Sequence, residues 1–173
     1  MKYDDASWHV EGDYPTDLPQ ANAATHIGMF LKWCIGQDLC SGFLLEESED
    51  EIKKVREGSM TGAQFLRLWD EVLIDEMLSE TGNLFAQDYY GGDSPFAKKH
   101  NDYVSDYEDV FCKKAKGDGY ASVYHVEDTD ANYARLASKI DERFGQWTKC
   151  REHAPHPQES FVQGLLRFLR RKH

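Results

Sequence analysis

The stretch A-A-T-H-I-G-M-F-L-K-W-C-I-G, at residues 23–36, decides the fold class of this 173-residue chain. Its apolar residues recur at helical spacing along one broad stripe, formed by Ile27, Phe30, Leu31, Trp33 and Cys34. We predict a helix from about Ala23 to Ile35, capped by Asn22 and ended by Gly36. Such a wide apolar face indicates a helix that packs in the core of a mainly helical domain.

Cap residues and helical spacing predict further helices downstream. Thr61 and Gln64 form a capping box, and the spacing of apolar residues from Phe65 to Met77 predicts one continuous helix after it. Other helices are predicted over residues 50–57, 79–90, 96–111 and 132–147, with a last amphipathic helix at 160–173.

One segment favours a strand instead. Residues from Tyr120 to Val126 alternate aromatic and β-branched side chains. The N-terminal arm, residues 1–19, is rich in turn formers and aromatic residues, which indicates an ordered segment. A single strand needs a partner, and this arm is one candidate. The predicted fold class is therefore mainly α with a small β component (α+β). We expect a single compact domain over residues 1–173, with one short strand pairing or hairpin.

The charge composition of the chain indicates which kinds of binding partner to expect. The chain has 31 acidic and 20 basic residues, a net charge of −11. This balance argues against a nucleic-acid partner, because neutralising phosphates takes clustered Lys and Arg. It favours encounter with a protein that has a basic surface.

The cysteines and the N-terminal sequence favour a cytoplasmic protein. Cys34, Cys40, Cys112 and Cys150 form no C-x-x-C pair and no zinc-finger spacing, which is typical of free thiols in a reducing compartment. The charged N-terminus has no apolar signal region, and no run approaches the ~18 apolar residues of a membrane span. We expect no membrane partner and no cofactor.

Known catalytic and nucleotide-binding motifs are absent from the sequence, which favours a protein that is not an enzyme. One alternative remains open. Asp4, Asp5, His9 and His26, with Asp13 nearby, are carboxylates and imidazoles that suit a hydrolytic metal site. None of them has the rigid spacing of a zinc-protease helix, so turn caps and structural histidines are the competing interpretation.

An acidic run provides the main candidate for a binding surface. Five carboxylates occupy six positions: Glu46, Glu47, Glu49, Asp50 and Glu51. Such a run is often only solvated, and part of it favours the N-terminus of the following helix. The functional interpretation is a docking patch for a basic surface, with Trp8 and Tyr14 as aromatic anchors elsewhere in the interface.

The segments K-Y-D-D-A-S-W-H at 2–9 and A-A-T-H-I-G-M-F-L-K-W at 23–33 resemble a family of small, poorly characterised bacterial proteins. Supporting segments are N-L-F-A-Q-D-Y-Y at 83–90, S-V-Y-H-V-E-D-T-D-A-N-Y at 122–133 and R-F-G-Q-W at 143–147. The resemblance implies no catalytic residues in this sequence. Small acidic proteins of this sort resemble immunity proteins of bacterial antagonism, each of which blocks a toxin that its own cell makes.

Three functions follow as hypotheses. The first is an immunity-type protein that binds a cognate toxin, for example a secreted nuclease, and occludes its active site. The second is a metal-dependent hydrolase that uses the N-terminal Asp and His residues. The third is a housekeeping adaptor with no link to a toxin.

Overall fold

Helix α2 (Thr25–Gly36) forms the centre of the core in a computed structural model that describes residues 1–12, 14–112 and 119–152. Every residue from Thr25 to Ile35 is buried, so neighbouring elements surround this helix on all sides. The helix is preceded by a 3₁₀ turn (Gln20–Ala24), so regular α-helical geometry begins two residues later than the sequence predicts. Asn22 does not cap the helix; its side-chain amide donates to the carbonyl oxygen of Tyr124 at 3.1 Å.

Eight further α-helices surround α2 within the described ranges. They are α1 (Ala6–Val10), α3 (Gly42–Glu47), α4 (Glu49–Arg56), α5 (Gly62–Leu66), α6 (Glu80–Tyr89), α7 (Pro95–His100), α8 (Tyr103–Phe111) and α9 (Asp130–Glu152). Three more 3₁₀ turns lie at Arg67–Trp69, Asp75–Met77 and Val123–His125. Among the described helices, none is both long and apolar enough to cross a membrane.

The backbones of α2 and α5 approach each other closely in the core. A Cβ added at Gly62 would lie 1.9 Å from the carbonyl oxygen of Gly28, and one added at Gly28 would lie 2.3 Å from the amide nitrogen of Ala63. Only residues without a Cβ permit two backbones to come this close. The capping box predicted for α5 is confirmed: the Thr61 hydroxyl accepts from the Gln64 amide, and the Gln64 side chain accepts from the Thr61 amide.

A two-stranded antiparallel sheet joins the N-terminus to the middle of the chain. Strand β1 (Lys2–Asp5) pairs with β2 (Val72–Ile74), so that Asp4 lies opposite Leu73 and a bulge follows Lys2. The N-terminal arm therefore supplies one strand of the pair. The domain is a single compact unit, mainly α with a small β part, as predicted.

The location predicted for the other strand is wrong. Residues 120–126 form no strand; they contain the 3₁₀ turn at Val123–His125. The Ser122 hydroxyl accepts from the amide of Tyr124, and the Ser122 carbonyl accepts from the amide of His125. These local bonds use the backbone groups that a strand would offer to a partner.

Two predicted helices are broken by residues with positive φ. The helix expected from Phe65 to Met77 ends at Leu66, because Asp70 and Glu71 have φ of 53° and 59° and lead into β2. The helix expected over 96–111 is interrupted at Asn101, which has φ of 89°, so that α7 and α8 are separate. The amphipathic helix predicted for 160–173 lies outside the described residues.

Candidate functional site

Two groups of side chains are candidates for function, and the first begins at the junction of β1 and α1. Asp5 is the N-cap of α1: its Oδ1 accepts from the amide of Ser7 at 2.9 Å, and its Oδ2 pairs with Lys2 Nζ at 2.6 Å. The bond from Lys2, and then those from Ser7, hold the pKa of Asp5 below its usual value. Asp5 thus caps helix α1.

Asp4 points the opposite way, into the protein. Its Oδ1 accepts from His9 Nε2 at 2.9 Å, and its Oδ2 accepts from the Tyr90 hydroxyl at 2.5 Å and faces His26 Nε2 at 3.3 Å. Burial alone raises the pKa of the Asp4 carboxyl, but hydrogen bonds from His26, His9 and Tyr90 outweigh it and hold the pKa well below its usual range. The carboxylate is therefore a buried anion surrounded by donors.

The two histidines differ in their access to solvent. The side chain of His26, on α2, is 5% exposed, and burial lowers its pKa although Asp4 acts in the other direction. The side chain of His9, on α1, is 24% exposed. The two rings stand nearly perpendicular, with centroids 4.6 Å apart. The second nitrogen of His9, Nδ1, lies 3.1 Å from the Tyr124 hydroxyl.

We call Asp4, His9 and His26 the Asp–His cluster. One ligand atom from each residue lies within 4.8 Å of the others, which suits either metal coordination or proton transfer. Of the metal-site residues predicted from the sequence, these three come together, Asp5 does not, and Asp13 lies outside the described residues. Sequence reasoning missed Tyr90 and Tyr124, since each is distant in the sequence and no spacing marks it.

The second candidate is the acidic surface, formed by Glu46, Glu47, Glu49, Asp50 and Glu51 where α3 ends and α4 begins. The first four are exposed and Glu51 is half-buried. Glu51 pairs with Lys54 at 3.3 Å, whereas the other four have no ion pair within the part of the chain that the structure describes. Within residues 1–12, 14–112 and 119–152, these four carboxylates therefore present charge to solvent without an ion-pair partner.

Apolar side chains accompany this charge. A groove of ≈ 670 Å³ runs along the acidic surface, lined by Leu45, which is 38% exposed, and by Glu46, Glu49 and Asp50. Lys53 and Arg56 line it as well, and Arg56 is itself paired with Asp38 at 2.5 Å. The groove is therefore lined mainly by charged side chains, with Leu45 as its exposed apolar side chain.

The aromatic anchors predicted from the sequence differ in exposure. Trp8, on α1, is 53% exposed, and Lys2 Nζ lies 5.4 Å from the centroid of its ring. Tyr14 is half-buried: its ring centroid lies 4.9 Å from that of Tyr124, and its hydroxyl donates to the Pro19 carbonyl at 2.6 Å. Trp8 is therefore the more accessible of the two.

Comparison with protein families finds a match to a domain of unknown function, DUF7832, over residues 2–126. The matched range contains the Asp–His cluster, its two tyrosine partners and the acidic surface, and it ends before α9. No curated protein and no solved structure matches the chain.

Proposed function

The chain belongs to the DUF7832 family, and we propose that it is an immunity-type binding protein that neutralises a cognate toxin with a basic surface. The observation that supports this most is the exposure of Glu46, Glu47, Glu49 and Asp50 without ion pairs among the described residues. Carboxylates left free in this way are available to Lys and Arg of a partner.

The chemistry of the acidic surface suits a toxin that acts on nucleic acid. A nuclease cleft is lined with cations that hold phosphates, and a row of carboxylates imitates that phosphate charge. The net charge of −11 adds a long-range field that steers a basic protein toward the chain. Leu45 on the groove wall then gives an apolar contact that excludes water once the partner is seated. In this proposal, binding there occludes the active site of the toxin.

The first test is genetic and biochemical. A toxin encoded beside this protein should co-purify with it, and deletion of the protein should sensitise the cell to that toxin. If deletion never sensitises cells to any neighbouring effector, the immunity role is wrong. A stable complex with a partner that has no toxic activity would instead favour a housekeeping adaptor.

The second test locates the interface. In the triple variant Glu47→Lys, Glu49→Lys and Asp50→Lys, the association rate with the toxin should fall by about tenfold or more at low salt, and its salt dependence should flatten. The matched control reverses three exposed carboxylates elsewhere, Asp93, Glu127 and Glu152, which changes the net charge equally. Equal association rates for the two triple variants would contradict docking at the acidic surface. Substitution of Trp8 would then test whether the aromatic anchor carries the interface instead.

A metal-dependent hydrolase is the second candidate, and the convergence of Asp4, His9 and His26 favours it. A bound ion with an open position activates water for attack on an ester or amide bond. The test is turnover of phosphoester, ester and peptide substrates by chelator-stripped protein before and after addition of Mn²⁺ or Zn²⁺. Activity that depends on the metal and disappears in His9→Gln would support the enzyme. Equal turnover with and without metal in every assay would count against it.

A further inference from the structure

Two of the three ligand pairs in the Asp–His cluster already stand at distances close to those of a metal site. A metal with bonds of about 2.0–2.2 Å to nitrogen and oxygen holds neighbouring ligand atoms roughly 3.3 Å apart in a tetrahedral site. Asp4 Oδ2 and His26 Nε2 are 3.3 Å apart, and Asp4 Oδ1 and His9 Nε2 are 2.9 Å apart. The second pair needs to open by only a few tenths of an ångström, within reach of a small rotation of the partly exposed His9 side chain.

The surroundings of the cluster are those that orient metal ligands. For His9 to bind an ion through Nε2, its proton must lie on Nδ1, where the Tyr124 hydroxyl oxygen is positioned to accept it at 3.1 Å. The Tyr90 hydroxyl donates to Asp4 Oδ2 and fixes the carboxylate plane. Outer partners of this kind fix the tautomer and orientation of the ligands in metal sites.

The cluster also has one buried side and one open side. The side chains of Asp4 and His26 are 9% and 5% exposed, whereas that of His9 is 24% exposed. An ion therefore enters past His9, and water can complete its coordination on that side. The three ligands come from β1, α1 and α2, so that a single ion would join the N-terminal arm to the central helix.

We propose that Asp4, His9 and His26 bind one divalent transition-metal ion, with Tyr124 and Tyr90 as the groups that orient His9 and Asp4. Two imidazoles and one carboxylate suit Zn²⁺, Fe²⁺ or Mn²⁺ and select against Ca²⁺ and Mg²⁺, which prefer oxygen ligands. This inference concerns ion binding alone: it requires no catalytic turnover, and it involves none of the residues of the acidic surface.

The experiment begins with the full chain after a chelator has removed bound metal. Zn²⁺ is then titrated into this protein, and calorimetry measures the binding. We expect one ion per chain and a rise in melting temperature. His9→Gln removes a partly exposed ligand and should abolish the stoichiometric site. Tyr124→Phe keeps all three ligands and should weaken Zn²⁺ binding by about 10–100-fold. The matched control is His125→Gln, a half-buried histidine next to Tyr124 that is outside the cluster, and it should bind Zn²⁺ like the wild type.

Several results would overturn the proposal. One is a wild-type protein that binds no Zn²⁺, Fe²⁺ or Mn²⁺, in which case the cluster is a hydrogen-bonded network that only holds the arm to α2. Another is a His9→Gln variant that folds normally by circular dichroism and binds Zn²⁺ as tightly as the wild type. If His9→Gln does not fold, the Tyr124→Phe variant provides the test. An unchanged affinity of that variant for Zn²⁺ would contradict the proposed arrangement, in which Tyr124 orients His9. Visible absorption of the Co²⁺-substituted wild type provides an independent check, because tetrahedral nitrogen and oxygen coordination intensifies its bands.

Discussion

Arg143 holds the buried carboxylate of Asp106 with two hydrogen bonds, from Nε to Oδ2 at 2.7 Å and from Nη2 to Oδ1 at 2.8 Å. The side chain of Asp106, on α8, is 1% exposed and that of Arg143, on α9, is 13% exposed. Asp106 also accepts from the Tyr89 hydroxyl at 2.9 Å. This pair therefore anchors the long helix α9 to α8 through a charge that has no access to bulk water.

Removing one partner of this pair should be costly. Arg143→Ala leaves the Asp106 carboxylate buried without its cation, so we expect the free energy of unfolding to fall by about 3–5 kcal/mol. Urea denaturation followed by circular dichroism measures this loss. The control is Lys139→Ala, which breaks the exposed pair with Glu142 on the same helix and should cost less than about 1 kcal/mol. Similar losses in the two variants would show that Arg143 does not anchor α9.

The approach of Gly28 to Gly62 makes a second prediction. In Gly62→Ala the new Cβ would meet the Gly28 carbonyl at 1.9 Å, a backbone contact that no side-chain rotation relieves. We expect a loss of stability of about 3 kcal/mol, at the upper end for overpacking. In the control, Gly145→Ala on α9, the new Cβ meets nothing within 4 Å, so the free energy of unfolding should rise by about 0.5–1 kcal/mol. Thermal melts of the two variants should therefore shift in opposite directions.

The sequence predicts helices well where local signals agree with packing. The stripe that includes Ile27 and Leu31, and the capping box of Thr61, require only neighbours in the chain, and the structure confirms the first helix and the capping box. The errors arise where backbone conformation changes within an apolar pattern. Asp70 and Asn101 adopt positive φ, which Asp and Asn tolerate but which their presence in a sequence does not predict. The helix predicted beyond Phe65 therefore ends early, at Leu66, and the helix predicted over 96–111 is divided into α7 and α8.

The candidate sites were predictable to different degrees. The residues of the Asp–His cluster were identifiable by type, because Asp4 and His9 are close in the sequence and are followed by a histidine on the first predicted helix. Their assembly was not, since Asp4 on β1 reaches Tyr90, and His9 on α1 reaches Tyr124, only through tertiary folding over long separations. The acidic surface could be located from the run alone, but the groove beside Leu45 depends on how α3 meets α4.

Three of the four cysteines, Cys34, Cys40 and Cys150, should differ in their reaction with thiol reagents. Burial raises the pKa of the Cys40 thiol from 9.0 to about 12, which lowers its thiolate fraction roughly a thousandfold, and burial raises the pKa of Cys34 well above its usual value. Cys150 is exposed. At pH 8 in native buffer, iodoacetamide should modify Cys150 within minutes and leave Cys34 and Cys40 intact. Mass spectrometry of digested protein measures this, and the same reaction in urea, where all thiols label, is the control. Rapid native labelling of Cys34 would contradict the described core.

Asp128 should destabilise the folded protein at neutral pH. Burial raises the pKa of its carboxyl above the usual 3.8, although the hydrogen bond from Thr61 and the nearby Arg67 and Lys32 act in the opposite direction. The folded state therefore binds a proton more tightly at Asp128 than the unfolded chain does. The resulting cost is complete above the raised folded-state pKa and disappears as the pH falls below 3.8.

Asp128→Asn removes this titration and keeps an oxygen to accept the Thr61 hydroxyl. At pH 7 the variant should be more stable than the wild type, and the difference should shrink as the pH is lowered through the carboxylate range. Urea denaturation of both proteins at a series of pH values measures the difference in their free energies of unfolding. The other carboxylates are common to both proteins, so their titration cancels in this difference. A stability difference for Asp128→Asn that grows as the pH falls would have the wrong sign and would contradict the raised pKa.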